Sequence, residues 1–364
     1  MTSSVGPAAA TVTSPAGPTR LSWVDATRGY CVVAVALYHV VLWHYGVGGA
    51  SVQPAADGFW YFINATLGSV RMPVLLGVSG LVLARQVKLG LHGATTGFRA
   101  ATNYYLYAVW LGVYAVFYMV FRQAFLPHRL DGWEVVGELL VPGTTLWYLF
   151  ALAAYIVVLA LARRLPPWVV LTGLLLLSTV MHAQRVPGAM WIKIPELFIF
   201  FAIGVYGARH IRALAEGATL LRLGASFVAA AGVTALGRFA DHPATDAALF
   251  VVRGVAFMVL CVLAVAIAVR WDPVRRLGVL LGRRTLAVYV MHPLWIALLT
   301  IVALGPGRGV IAEILASPAA LLYPAVVTAG IVMASIAVQT LAQRAGANFL
   351  FEMPERWRAK LGRA

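Results

Sequence analysis

The sequence predicts an all-α fold: a polytopic transmembrane helix bundle of about ten spans with both termini in the cytoplasm. Three observations carry this reading. Apolar stretches of about 20 residues, the length that crosses a bilayer, recur along the chain. Charged side chains are too few to wet a soluble particle, and basic residues gather on alternate connections. Of 364 residues, 61% are hydrophobic and 11% charged, against roughly 45–50% and 25% in soluble globular chains. The mean hydropathy is +0.85.

The candidate spans are 25–45, 60–84, 103–121, 144–162, 168–182, 194–208, 220–238, 247–269, 285–304 and 319–342. The fifth and sixth are short for a hydrocarbon core of about 30 Å, so they are expected to tilt, to sit partly buried or to extend into their flanks. Ahead of them, residues 1–20 hold Ser, Thr, Pro, Ala and Gly without periodicity. Such a segment buries too little apolar surface to offset its ordering entropy and is expected to be disordered. It lacks the apolar region of a cleaved signal peptide, so the first span is expected to serve as an uncleaved signal. Residues 21–345 form one membrane domain, and 346–364 a basic cytoplasmic tail. From Phe351 onward that tail reads as an amphipathic segment lying on anionic lipid. The two cysteines, Cys31 and Cys261, sit inside apolar runs and read as small buried hydrophobes, without disulfide or metal spacing.

A net charge of +15 raises the question of nucleic acid, and its distribution answers it. With the N-terminus inside, the cytoplasmic connections hold most of the 28 Lys and Arg residues, including Arg85, Lys88, Arg163, Arg164, Arg209, Arg212, Arg275, Arg276, Arg283 and Arg284. The outer loops hold only Arg122, Arg129, Arg185, Lys193, Arg238 and Arg308. That asymmetry is what membrane topology produces, so no nucleic-acid partner is implied. The Arg-over-Lys bias suggests a GC-rich bacterial genome and hence the bacterial cytoplasmic membrane. The outer connection from Arg122 to Gly143, with His128, Asp131, Trp133, Glu134 and Glu138, is either ordered over the bundle mouth or a solvated connector.

Ionisable side chains inside a bilayer are expensive, which makes each one a candidate functional group. The first span carries Asp25, Arg28 and His39. Eleven residues separate Arg28 from His39, about 1100° or three turns plus roughly 20°, so both lie on one helix face about 16 Å apart along the axis. Asp25 lies one turn below Arg28, and His44, about 160° round from Arg28, reads as an interfacial residue. A buried imidazole favours its neutral form, because desolvation penalises the cation, and a neutral imidazole can take a proton from a hydroxyl. His39 therefore reads as a general base or as a hydrogen-bonding link to a neighbouring helix. Arg71 is a substrate ligand or half of a structural ion pair. Glu196 and Arg253 pair with each other or line an acceptor path. His292, before Pro293, is a kink residue with a buried hydrogen bond or a substrate contact. Gly77, Ser79 and Gly80 read as small residues for close helix packing, and Trp147 and Tyr148 as interface or packing aromatics.

Four stretches in order bear a family likeness. Asp25-Ala-Thr-Arg28-Gly followed by an apolar run to His39 resembles the first-helix Arg–His signature of the integral-membrane acyltransferase family 3. The second span, from Arg71 through Pro73 to Ser79-Gly80, is similar to its Pro-hydrophobic-Ser-Gly motif. Thr145-Leu-Trp-Tyr-Leu-Phe150 resembles its Leu-Trp-Phe-Leu-type helix start. Leu286-Ala-Val-Tyr-Val-Met-His-Pro-Leu-Trp295 resembles its Val-Tyr-x-x-His-Pro element. The likeness covers about residues 22–342. It implies transfer of an acyl group, usually acetyl, from acyl-CoA as co-substrate to a hydroxyl, often on a carbohydrate. His39 would then be the base, and Arg28 the contact for the donor phosphates. Asp25 would orient Arg28, or act only as a first-turn helix residue. Two departures concern the donor side: Arg99 stands without a second arginine close by, and Val74 to Val78 is aliphatic where the family is usually aromatic. The competing class is a permease for a polar solute, with His39 and the buried arginines along its pathway. Such proteins often carry repeated halves, and none is visible here.

Overall fold

The computed structural model describes residues 22–45, 47, 52–91, 95–127, 130, 133–184, 189–240, 242–354 and 357. The segment 1–20, His128, Arg129, Asp131 and Arg185 lie outside them. The helices are α1 (Ser22–Trp43), α2 (Pro54–Leu89), α3 (Thr96–Val120), α4 (Glu134–Glu138), α5 (Trp147–Leu161), α6 (Pro167–Ala183) and α7 (Lys193–Tyr206). They continue as α8 (Ala208–Glu216), α9 (Leu220–Leu236), α10 (Pro243–Ala268), α11 (Asp272–Arg283), α12 (Thr285–Leu304), α13 (Arg308–Ala316) and α14 (Tyr323–Arg344). Each of the ten expected stretches is helical. Seven helices are long and apolar enough to cross a membrane, eight if the pair Met190–Tyr206 and Ala208–Glu216, bent by 69°, counts as one span. The α6 helix is apolar but short. The α3 helix is long enough but is not among those seven, its first half carrying Asn103 and three tyrosines. The chain is thus a multi-pass membrane protein, with fewer clear spans than ten. On α9 the exposed Leu220, Leu221, Phe227, Val228 and Leu236 leave an apolar outer face suited to lipid.

Small residues set the helix spacing at the centre. In hydrocarbon no hydrophobic force draws helices together, so backbones must approach closely enough for dispersion and hydrogen bonding to act. A side chain on Gly204 of α7 would run into the Gly77 carbonyl of α2, and one on Gly80 into the Phe201 carbonyl. On the other flank, a Cβ on Gly29 of α1 would lie 2.7 Å from the Gly278 carbonyl oxygen of α11. The Tyr30 hydroxyl donates to the Val274 carbonyl at 2.7 Å across that same contact. The α2 helix starts at Pro54, with the Gln53 side chain accepting from the Ala56 N–H at 2.8 Å, and ends at Gly90 with φ of 76°.

Two connections sit on the bundle instead of trailing from it. The Glu138 carboxylate accepts from the Gly143 and Thr144 N–H groups at 2.7 and 3.1 Å. Burial pushes this carboxyl above its usual range, opposed by the two donors. Tyr107 donates to the Glu138 carbonyl, so the loop ahead of α5 is tied to α3. The chain after α14 also docks on α3: Trp110 donates to the Leu350 carbonyl at 2.7 Å, and Phe351 and Met353 are buried. The start of the tail therefore covers protein, where the sequence suggested lipid.

Gly204→Ala is expected to destabilise the purified protein by about 1–3 kcal/mol, the usual penalty for overpacking. Gly224→Ala on α9, where nothing lies within 4 Å of an added Cβ, is expected not to. Thermal unfolding in detergent compares them, and equal melting temperatures would contradict the close α2–α7 contact.

Candidate active site

The four motif stretches meet. His39, half-buried on α1, faces His292 of α12, which has 0% exposure. The His292 Nε2 and His39 Nδ1 atoms are 3.0 Å apart, and His292 Nδ1 lies 3.1 Å from the Val288 carbonyl oxygen. Pro293 has no N–H for the Tyr289 carbonyl, which leaves that acceptor also within reach of the His292 ring. A carbonyl only accepts, so His292 Nδ1 carries a hydrogen and, in the neutral ring, Nε2 is an acceptor. The proton between the rings then belongs to His39 Nδ1, and the His39 lone pair is on Nε2. The His39 ring stacks on Trp43 at 4.2 Å and lies 24° from the plane of the His292 ring it bonds, which fixes its plane.

One turn before His292, the Tyr289 hydroxyl donates to the Thr145 carbonyl and accepts from the Tyr148 N–H at 3.2 Å. The first turn of α5 has N–H groups without helical partners and no side-chain cap from its own flank, so α12 supplies one from outside. The Tyr148 hydroxyl bonds Ser79 at 2.8 Å, and Ser79 donates to the Leu75 carbonyl at 2.7 Å. Ser79 thus joins α2 to α5 as well as permitting close packing. Arg28 lies on the same helix as His39, three turns below it. From α3, Tyr114 donates to the Val290 carbonyl at 2.9 Å and braces α12.

A cavity of about 200 Å³ opens beside His39, lined by Arg71, Thr145, Trp147, Lys193, Glu196, Phe250 and Tyr289 among others. It lies at the bundle end where α5, α7 and α10 begin and α6 finishes. Arg71 is 7% exposed, lies over the Tyr38 ring at 3.4 Å and donates to the Leu67 carbonyl at 3.0 Å. Glu196 pairs with His182 at 2.6 Å, and the other His182 nitrogen lies 3.5 Å from Asp246.

Of the residues singled out from sequence, His39, Arg71, Glu196 and His292 therefore share one place. Asp25 is buried against Gly282, and Arg28 lies on α1 three turns from His39, toward the helix start. Arg99 is exposed at the start of α3, away from the cavity. Arg253 lies against Gly237 after α9, so the suggested Glu196–Arg253 pair is replaced by Glu196 with His182. His44 is buried, with its ring nitrogens 3.0 Å from Thr300 and 2.7 Å from Tyr323. It is a cross-link between helices, where the sequence suggested an interfacial residue. Sequence reasoning passed over Tyr38, Thr145, Lys193, Tyr289 and His182. Tyr289 was legible as part of its motif, and Lys193 as a cation one turn before Glu196. His182 carried no signal short of the fold.

His292→Ala removes one buried hydrogen bond from His39. Turnover is expected to fall by roughly 5- to 150-fold, equivalent to about 1–3 kcal/mol, with a smaller change in KM. His292→Asn, which keeps a donor and an acceptor, is expected to recover part of it. Steady-state kinetics with matched protein levels decides this, and an unchanged kcat in His292→Ala would remove the positioning role.

The model of the family described as Acyltransferase domain matches residues 21–338. A relative 23% identical over 356 residues, covering 91% of this chain and 96% of its own length, is the inner membrane protein YcfT of Escherichia coli (strain K12). No solved structure matches the chain. The matched region contains every helix that contributes to the cavity and the histidine pair, and the chain belongs to the integral-membrane acyltransferase family 3.

Proposed function

We propose that this chain is a membrane O-acyltransferase that moves an acyl group, in the first instance acetyl, from acyl-CoA to a hydroxyl of a carbohydrate or glycosylated small molecule. The observation that carries the reading is His39 at the cavity wall, held by His292 so that its lone pair is on Nε2. Membership of an acyltransferase family supplies the reaction type.

His39 Nε2 takes the proton of the acceptor hydroxyl as its oxygen attacks the thioester carbonyl. The tetrahedral intermediate collapses, the C–S bond breaks, and the leaving sulfur receives the proton back from the His39 imidazolium. The products are an ester and free CoA. Arg28 contacts the donor phosphates from the cytoplasmic end, with Asp25 one turn away as counter-charge. Support for that orientation comes from the basic residues gathered at the Arg28 end, where Arg284 bonds Gln339 and Arg270 donates to the Ala218 carbonyl. The acceptor enters the cavity from the other end, so the two substrates approach His39 from opposite directions.

Acceptor-dependent CoA release in native membranes tests this, with acetyl-CoA and longer acyl-CoAs as donors. His39→Ala is expected to lower turnover on the order of 10²- to 10⁴-fold, the contribution of a positioned base, while the exposed His210→Ala keeps wild-type activity. Equal activity in all three proteins would remove His39 from the chemistry.

A further inference from the structure

The cavity beside His39 carries more positive charge than its own residues balance. Arg71 and Lys193 both line it, close enough for each to feel the other's charge. Arg71 comes from the middle of α2, and Lys193 from the first residue of α7. Among the described residues the wall holds one carboxylate, Glu196, and its hydrogen bond goes to His182 at 2.6 Å. Among the described residues no carboxylate pairs with Arg71. Its guanidinium is spent on the ring and hydroxyl of Tyr38 and on one carbonyl, and its buried Nε has no hydrogen-bond partner. A cation 7% exposed whose Nε lacks a partner carries a desolvation cost that its own neighbours do not offset. It is compensated when a ligand brings an anion. The fork of an arginine and the point charge of a lysine together suit the oxygens of a carboxylate or phosphate.

We infer that Arg71 and Lys193 form a subsite for an anionic oxygen group on the acceptor, a carboxylate or a phosphate ester near the hydroxyl that is acylated. This deepens the transferase reading and rests on it for the identity of the ligand as acceptor. The subsite orients the hydroxyl toward His39 and selects acidic sugars over neutral ones.

The full chain in nanodiscs, given acetyl-CoA, is tested with glucose, glucuronate and glucose 6-phosphate as acceptor probes. In the wild type at least one anionic probe is expected to exceed glucose in kcat/KM on the order of tenfold, the size of one charge-assisted hydrogen bond. Preference for glucuronate marks a ring carboxylate, and preference for glucose 6-phosphate marks a phosphate ester. The ratio is expected to fall toward one in Lys193→Gln and Arg71→Gln and to persist in Lys88→Gln, a cation exposed near the far end of α2. Glucose matching both anions, or a preference that survives both cavity substitutions, overturns the subsite while CoA release leaves the transferase standing. If Arg71 instead served the developing oxyanion, its loss would lower kcat for all probes alike and leave the ratio intact, which also overturns it. Thermal stabilisation is the second readout. Stabilisation by an anionic probe but not by glucose, lost in Lys193→Gln, upholds the subsite even if no CoA is released and the transferase reading fails. Stabilisation by free CoA alone, lost in Lys193→Gln, assigns the cations to the donor and overturns the proposal.

Discussion

The hydrogen bond between His39 and His292 sets the chemistry of the bundle's centre. Each ring nitrogen has a direction because its neighbour has one. The Val288 carbonyl can only accept, so one proton position is fixed, and the fixed position propagates through His292 to His39. A carboxylate in the place of His292 would also orient the His39 ring, at the cost of burying a formal charge between helices. A neutral imidazole gives orientation without that charge, and it is held at 0% exposure.

Every other feature of the site maintains that pair or feeds it. Glycine contacts close α2 on α7 and α1 on α11, and beside them Ser79, Tyr148 and Tyr289 tie α2 and α12 to α5. Polar groups in hydrocarbon have no water to fall back on, so the hydroxyls of Tyr114 and Tyr289 end on carbonyls and that of Tyr148 on the Ser79 hydroxyl. The outcome is a rigid inner lattice of α1, α2, α5 and α12, with α9 and α14 more exposed at its edge. Functional groups on rigid elements keep their geometry better than groups on loops.

Helix positions were legible because length and hydropathy dictate them in a membrane, and all ten expected stretches are helical. The span count was less so, since the tyrosines of α3 turn inward to Glu138, Pro127 and Val290 and lower its hydropathy for a reason internal to the protein. That His39 and Arg28 share a face of one helix was readable from its periodicity. The role of His292 depended on a second helix and on Pro293 releasing a carbonyl. His44 was misread because its wheel position showed only that it faced away from Arg28, and not that α12 and α14 waited there with Thr300 and Tyr323. Asp25 and Arg28 stay together by spacing alone, whereas Glu196 found His182 from a different helix, a pairing no local pattern encodes.

The central claim, that His39 stands with its proton on Nδ1 and its lone pair on Nε2, is open to direct observation. Histidine-selective 15N labelling and solid-state NMR of the protein in bilayers, assigned through His39→Asn, reads the protonation of each ring nitrogen. At neutral pH the account predicts a protonated Nδ1 and an unprotonated Nε2 for His39, with the same tautomer for His292. A His39 ring protonated on Nε2 and bare on Nδ1 would contradict it, because the nitrogen facing His292 would then have no proton to give.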